Sequence, residues 1–261
     1  MRNLILFLLT GSLGFSFSSS ELKLPTRKNE SFSIGERLRY RVTYGFIDAG
    51  EAVIEVKPTP KKGAQGQALY HVVGTGRTLG AFNLFYRVND VYETYIDQKG
   101  IFPWYFKRRV EEGKYRLQQD YRFDQHKEKV DNGKGKLFDI PVGVQDMISS
   151  FYYARTLDYK NMKVGDISEF KCFMDDEIYP LKIKYVGKEE IKIRKGTFRC
   201  MKFVPVVQTG RYFESEDDVN FWVTDDKNRI PVLVKAKIPV GTVKLHLVEW
   251  NGLKHDLALV K

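Results

Sequence analysis

From Leu38 onward, apolar and polar residues alternate with a period of two, the signature of strands buried on one face. Leu38, Tyr40, Val42 and Tyr44 interleave with Arg37, Arg39, Arg41 and Thr43. After Asp48-Ala49-Gly50, read as a turn, Ala52, Ile54 and Val56 interleave with Glu51, Val53 and Glu55. The pattern predicts a hairpin whose first strand carries a cationic outer face. Residues 57–67, with Pro58, Pro60, Gly63 and Gly66, read as a loop. Strands are then expected over 68–74, 86–96, 102–110, 115–123 and 127–131. They are expected again over 167–174, 178–186, 189–194, 198–207, 218–223, 232–238 and 242–249, with turns at 225–228 and 239–241. One helix interrupts them over 142–157, where Val144, Met147, Ile148, Phe151 and Ala154 fall at helical spacing behind Pro141.

This pattern predicts an all-β, mainly antiparallel fold: a curved sheet, a sandwich or a partly open barrel with one central helix. The helix lies near the middle of the chain. Two β lobes split at residues 142–157 and one continuous sheet with the helix on its concave face both fit. Residues 21–33 are polar and aperiodic, and are expected to form a flexible N-terminal arm before a β domain over 34–257.

The chain opens with Arg2, an apolar run over 4–15 and small residues at Ser18 and Ser20, the layout of a signal peptide cleaved before Glu21. An uncleaved N-terminal anchor is the alternative. Export to a periplasmic or extracellular space is expected. There Cys172 and Cys200 either form a disulfide between two strands or stay as buried thiols. The chain is 261 residues long with a formal charge of +10. Removing residues 1–20 takes away Arg2 as the single charged residue, so the basicity belongs to the folded part. Nucleic acid, which the charge alone would allow, is set aside because of export. An anionic outer-membrane surface or an envelope protein remains as a partner.

Catalytic chemistry is not displayed. His71, His126, His246 and His255 are isolated, and no metal-ligand spacing or nucleophile elbow is present. Glu214, Glu216, Asp217 and Asp218 lack the spacing of a calcium loop. Gly74 to Gly80 lacks that of a dinucleotide fingerprint and reads as a flexible loop. No cofactor, metal or enzymatic activity is expected.

The 18 Phe, 15 Tyr and 3 Trp gather in part beside cations. Phe82, Phe85 and Tyr86 precede Arg87; Trp104 and Phe106 precede Arg108; Phe151 and Tyr152 precede Arg155. Such sets hold an amphiphile, whose apolar part meets aromatic faces and whose anionic part meets the cations, or stack on sugars or bases, or else they are simply the core. Asp146 and Arg155, nine positions apart in the helix, cannot pair with each other and are expected to anchor it to the sheet.

Gly35-Glu36-Arg37-Leu38-Arg39-Tyr40, the stretch Tyr44–Gly50, Asp90-Val91-Tyr92-Glu93-Thr94, the run Gln145–Arg155, and Phe221–Asp226 followed by Arg229-Ile230-Pro231 occur in an order that resembles the DUF3108 family of exported bacterial proteins. The resemblance spans about residues 34 to 250 and implies an envelope location with no assigned activity. By analogy of fold, a helix over a curved sheet looks like the open barrels that carry lipoproteins. The expected function is therefore binding or carriage of a lipid, a lipoprotein acyl chain or a similar amphiphile between sheet and helix. The alternative is a structural or interaction protein of the envelope with a solid core.

Overall fold

The computed structural model describes residues 23–206, 218–238 and 241–260. The expected signal peptide, the acidic residues 214–217 and the turn at 239–240 lie outside the described residues. The first half of the chain is an antiparallel meander: β1 (Arg37–Tyr44), β2 (Ile47–Lys57), β3 (Leu69–Thr78), β4 (Asn89–Asp97), β5 (Pro103–Glu112), β6 (Tyr115–Asp124), β7 (Lys129–Asp131) and β8 (Leu137–Asp139). A short helix, α1 (Phe82–Phe85), interrupts the β3–β4 connection, and α2 (Met147–Arg155) follows β8. The second half is a meander of β9 (Ile167–Met174), β10 (Glu177–Ile193), β11 (Gly196–Pro205), β12 (Val219–Thr224), β13 (Pro231–Ile238) and β14 (Gly241–Asn251).

Strand β14 returns to pair antiparallel with β1, so both meanders merge into one sheet of 14 strands running from β8 through β1 and β14 to β9. Two separate lobes are thereby ruled out. The ladder is not closed, since β8 and β9 are its two edges. Side chains nevertheless bring the edges together. Phe173 of β9 packs edge-on against Tyr121 of β6 at 5.1 Å between ring centroids and against Phe138 of β8 at 5.4 Å. The segment before α2 crosses the same seam: Ile140 donates its backbone N–H to Glu128, and Gln145 forms a parallel bridge to Cys172. An aromatic seam thus takes the place of the missing ladder bonds, and the sheet wraps around α2.

Several boundaries differ from the sequence pattern for local reasons. The β1–β2 turn falls at Gly45-Phe46, where Gly45 takes φ 57°, and a bulge after Val42 puts Asp48-Ala49-Gly50 into the strand. The expected flexible loop at Gly74–Gly80 is mostly β3, which runs to Thr78. The strands expected over 178–186 and 189–194 are one, because Gly187 absorbs a bulge without ending the ladder. Helix α2 begins at Met147 rather than Val142. Residues 141–144 instead form a turn, with Gly143 at φ 77° and the Val144 N–H donating to the Pro141 carbonyl, Gln145 bridges to Cys172, and Val144 is buried in the seam rather than on a helix face.

The expected flexible arm is instead packed from Leu24 onward. Leu24 lies against the Leu69, Phe102 and Trp104 cluster, and the buried Phe32 ring sits edge-on to Tyr152 at 4.6 Å. Its few apolar residues carry the contact, and isolated apolar residues leave no periodicity to read.

Of the two readings open for the cysteines, the structure has the buried thiols: Cys172 and Cys200 are both free and buried. Cys172 pairs with Tyr179 and Cys200 with Glu189, positions at opposite ends of β10. That spacing of about 30 Å along a strand far exceeds what a disulfide spans. Burial pushes both thiols up to about 12. Accordingly, a thiol-alkylating reagent should modify neither cysteine in the native protein and both after unfolding in denaturant without reductant. A mass two hydrogens short, with no modification after unfolding, would contradict this arrangement.

Candidate functional site

Helix α2 is fixed at each end by buried polar contacts. At its start Asp146 is the N-cap: Oδ1 accepts the backbone N–H groups of Ile148 at 2.8 Å and Ser149 at 2.7 Å, while Ser149 Oγ accepts the Asp146 N–H. Oδ2 of the same carboxylate accepts from Thr94 Oγ1 on β4, so the cap also ties the helix to the sheet. At its end Arg155 makes a two-pronged contact with Glu36 at 2.6 and 2.7 Å, with side chains 2% and 0% exposed. The same guanidinium donates to the carbonyls of Asn228 at 2.9 Å and Ser31 at 3.1 Å. One side chain therefore joins helix, N-terminal arm, the residue preceding β1 and the β12–β13 turn.

Between these fixed ends, the helix spans the concave face without filling it. On one side lies a cavity of about 220 Å³ lined by Phe151, Tyr159, Phe170, Phe203, Phe221 and Arg229, among others. On the other lies one of about 330 Å³ lined by Tyr40, Ile54, Gly74, Gly76, Ile148 and Leu245, among others. Phe151, Phe221 and Pro231 border both, so the two form one cleft divided at Phe151. The larger part owes its space to glycine. Register places Tyr40, Ala52, Gly76 and Asp90 in one row across β1 to β4, with Ile54, Gly74 and Tyr92 in the next. A Cβ on Gly74 would touch Ile148 at 3.6 Å, whereas one on Gly76 would meet nothing within 4 Å. Glycine inside a strand is unfavourable and often marks a close approach by something else.

The walls are apolar with few polar groups. The Tyr40 hydroxyl is buried and has no hydrogen-bond partner. Desolvation raises its pKa well above the ordinary tyrosine value, so it stays a neutral donor. Arg229 is turned to backbone, donating to the carbonyls of Arg155 and Leu157. Among the described residues, no three His, Cys, Asp or Glu side chains converge as a metal site would require.

Of the residues singled out by sequence, Phe151 lines both cavities and Arg155 lines the smaller, its charge already matched by Glu36. Tyr152 turns away into the Phe32, Val72 and Ile96 cluster. Trp104 is buried elsewhere, its indole N–H donating to Asp97 at 3.0 Å, and Phe106 belongs to the seam. Arg108 contacts Asp175 and Gln119. Phe82, Phe85, Tyr86 and Arg87 lie on and beside α1 at one rim of the sheet. These residues do not form one site. The cationic stripe on β1 is also matched: Arg37 and Arg39 pair with Glu249 and Arg41 with Asp48.

The residues missed, Gly74, Gly76, Phe203, Phe221 and Leu245, sit on four strands distant in sequence. One signal for them was present, since two glycines spaced by two in a strand fall on the same face.

Fold and cleft together define a class: an antiparallel β-barrel-like sheet, open along one seam, with a helix held in its concavity. The chain belongs to the family described as "Protein of unknown function (DUF3108)", whose match spans residues 39–248. No curated protein matches it. Among solved structures it is similar to a β-barrel-like DUF1849 protein from Brucella abortus, with 12% identity and a TM-score of 0.54 over 87% of this chain and all of that one. A hypothetical protein from Chlamydia trachomatis matches at 10% identity and a TM-score of 0.36 over 86% of this chain and 91% of that one. At such identity the Brucella structure speaks to the fold alone.

Two outcomes follow from the helix anchors. Removing one partner of the buried pair, by Glu36→Ala or Arg155→Ala, should cost about 3–5 kcal/mol in urea unfolding, with the double Glu36→Leu/Arg155→Met costing less than the two single losses together. Additive losses would show that the two side chains are not coupled. Asp146 is shifted the other way from a stabilising carboxylate: burial raises its pKa to about 6 from 3.8, against the hydrogen bonds that favour its charge. The folded state therefore binds the proton more tightly. Its contribution to stability is greatest below the unfolded value and is lost as pH rises through about 6. Asp146→Asn keeps a good cap, so wild type should gain on this variant by about 2 kcal/mol between pH 7 and pH 4. A stability difference that stays flat with pH would contradict this.

Proposed function

We propose that this protein is a non-enzymatic carrier or binding protein of the cell envelope, which holds the apolar chain of a lipid-like amphiphile in the cleft between α2 and the sheet. The observation that carries the reading is the divided cleft itself, kept open by Gly76 and walled by Phe151, Phe203, Phe221 and Leu245. Its larger part lies within the roughly 300–1,000 Å³ range of small-molecule sites.

Export is part of the proposal and rests on the leader-like residues 1–20. No helix among the described residues is long and apolar enough to cross a membrane. The second reading, an envelope protein with a solid core, draws on the five buried clusters that fill most of the remaining space.

Native mass spectrometry of the protein purified from its own host separates the two. Wild type should retain a co-purifying amphiphile, or take up added lysophosphatidylglycerol. Gly76→Leu should retain neither while unfolding at the same or a higher temperature. Wild type that carries nothing and takes up nothing would favour the solid core.

A further inference from the structure

One rim of the sheet displays apolar side chains that serve nothing inside the fold. Three connections meet there. The β1–β2 turn carries Phe46 at 107% relative exposure and Ile47 at 60%. The β3–β4 connection carries α1, which has no buried residue and presents Leu84 at 85% and Phe85 at 87%. The β5–β6 turn follows, its Gly113 N–H donating to the Arg87 carbonyl at 2.8 Å and Tyr115 lying exposed beyond it. The three are neighbours: Phe82 of α1 packs on Tyr44 of β1 at 6.1 Å, and a Cβ on Gly113 would touch the Tyr86 ring at 3.1 Å.

Cations flank these side chains. Arg87 and Lys114 are exposed, whereas Arg77 pairs with Glu51, Arg41 with Asp48 and Arg116 with Glu111; Glu112 lies beside Asp90, and burial raises its pKa toward the neutral form. Beside α1 lies a polar recess of about 370 Å³ lined by Arg77, Thr78, Asn83, Arg87 and Asn89, among others. The Arg87 guanidinium with amide and hydroxyl donors is suited to a phosphate, while Arg77 is held by Glu51.

We propose that this rim docks on a bilayer containing anionic phospholipid, with Phe46, Ile47, Leu84 and Phe85 entering the headgroup–acyl boundary and Arg87 and Lys114 meeting lipid phosphates. The chemistry favours a bilayer over a protein partner. The apolar groups project singly from separate turns, as knobs and not as a flat patch, and a fluid interface receives knobs without a complementary pocket. Apolar insertion combined with cationic flanks is the pairing that gives interfacial attachment. The larger part of the cleft approaches this rim along β3, from Gly74 beneath Ile148 to Gly76 and then Thr78, so a docked barrel would face the source of its ligand. In that last respect the proposal rests on the carrier reading; attachment itself does not.

Vesicle flotation tests it, with wild type and variants purified from the same host so that all share one N-terminus. Wild type should float with vesicles of phosphatidylcholine plus phosphatidylglycerol, and much less with phosphatidylcholine alone or in high salt. Leu84→Asp/Phe85→Asp, on a helix that buries nothing, should fold normally by circular dichroism and lose about a hundredfold in partitioning. Arg87→Glu should lose several-fold on the anionic vesicles only. Gly76→Leu should float as wild type does, so failure of the carrier reading leaves this result standing. Equal flotation of the Leu84/Phe85 variant, or equal binding to neutral vesicles, would overturn the proposal. So would a concentration-dependent dimer that this variant abolishes in the absence of flotation, since the rim would then be a contact between copies of the chain.

Discussion

The buried pair of Glu36 and Arg155 is the contact around which the concave side is organised. Taking both charges out of water is costly, and they are tolerated because the two-pronged geometry and the two backbone carbonyls leave little of the guanidinium unmatched. Such a pair is a poor source of net stability compared with apolar packing. What it supplies here is position. It fixes the end of α2 relative to the arm, the approach to β1 and the turn at Asn228, while Asp146 fixes the start of the helix against β4. A helix of nine residues would be marginal alone. Held at both ends it becomes a rigid bar across the sheet.

That rigidity explains why space persists beside the helix. A mobile helix would settle onto the sheet and close the cleft, whereas one fixed at both termini leaves whatever volume the side chains do not fill. Gly74 and Gly76 set that volume on one flank, and Phe203 of β11 with Phe221 of β12 set it on the other. The seam of Tyr121, Phe138 and Phe173 has a related role, because it curls an open sheet until its edges meet. Aromatic residues thus do two separate jobs, closing the barrel and lining the cleft, and a composition count merges the two.

Much of the architecture was legible in the sequence because a strand buried on one face writes its period into the chain. The strand 167–174 agrees residue for residue, and most others to within a few positions. What could not be read depended on contacts between distant residues. The merging of both halves rests on β1 pairing with β14, and the lack of a disulfide on the length of β10 between the partners of two cysteines. The cleft was legible in outline only. Phe151 and Arg155 stood out beside it, but Trp104, Phe106 and Arg108 share the same aromatic-plus-cation pattern and are spent in the core, in the seam and on Asp175. Local clustering reports composition, while cleft lining reports register, and the glycine pair on β3 was the one sequence feature that reported register directly.

The most direct test of the central claim is photo-crosslinking with a fatty acid carrying a diazirine in its acyl chain, followed by peptide mapping of the adducts. The label should fall on residues that border the cleft, Ile148, Phe151, Phe221, Val234 and Leu245, with loss of labelling when unlabelled fatty acid competes. Labelling confined to the exposed rim at Phe46 and Phe85, or spread over the surface without competition, would show that the space beside α2 is not a binding site.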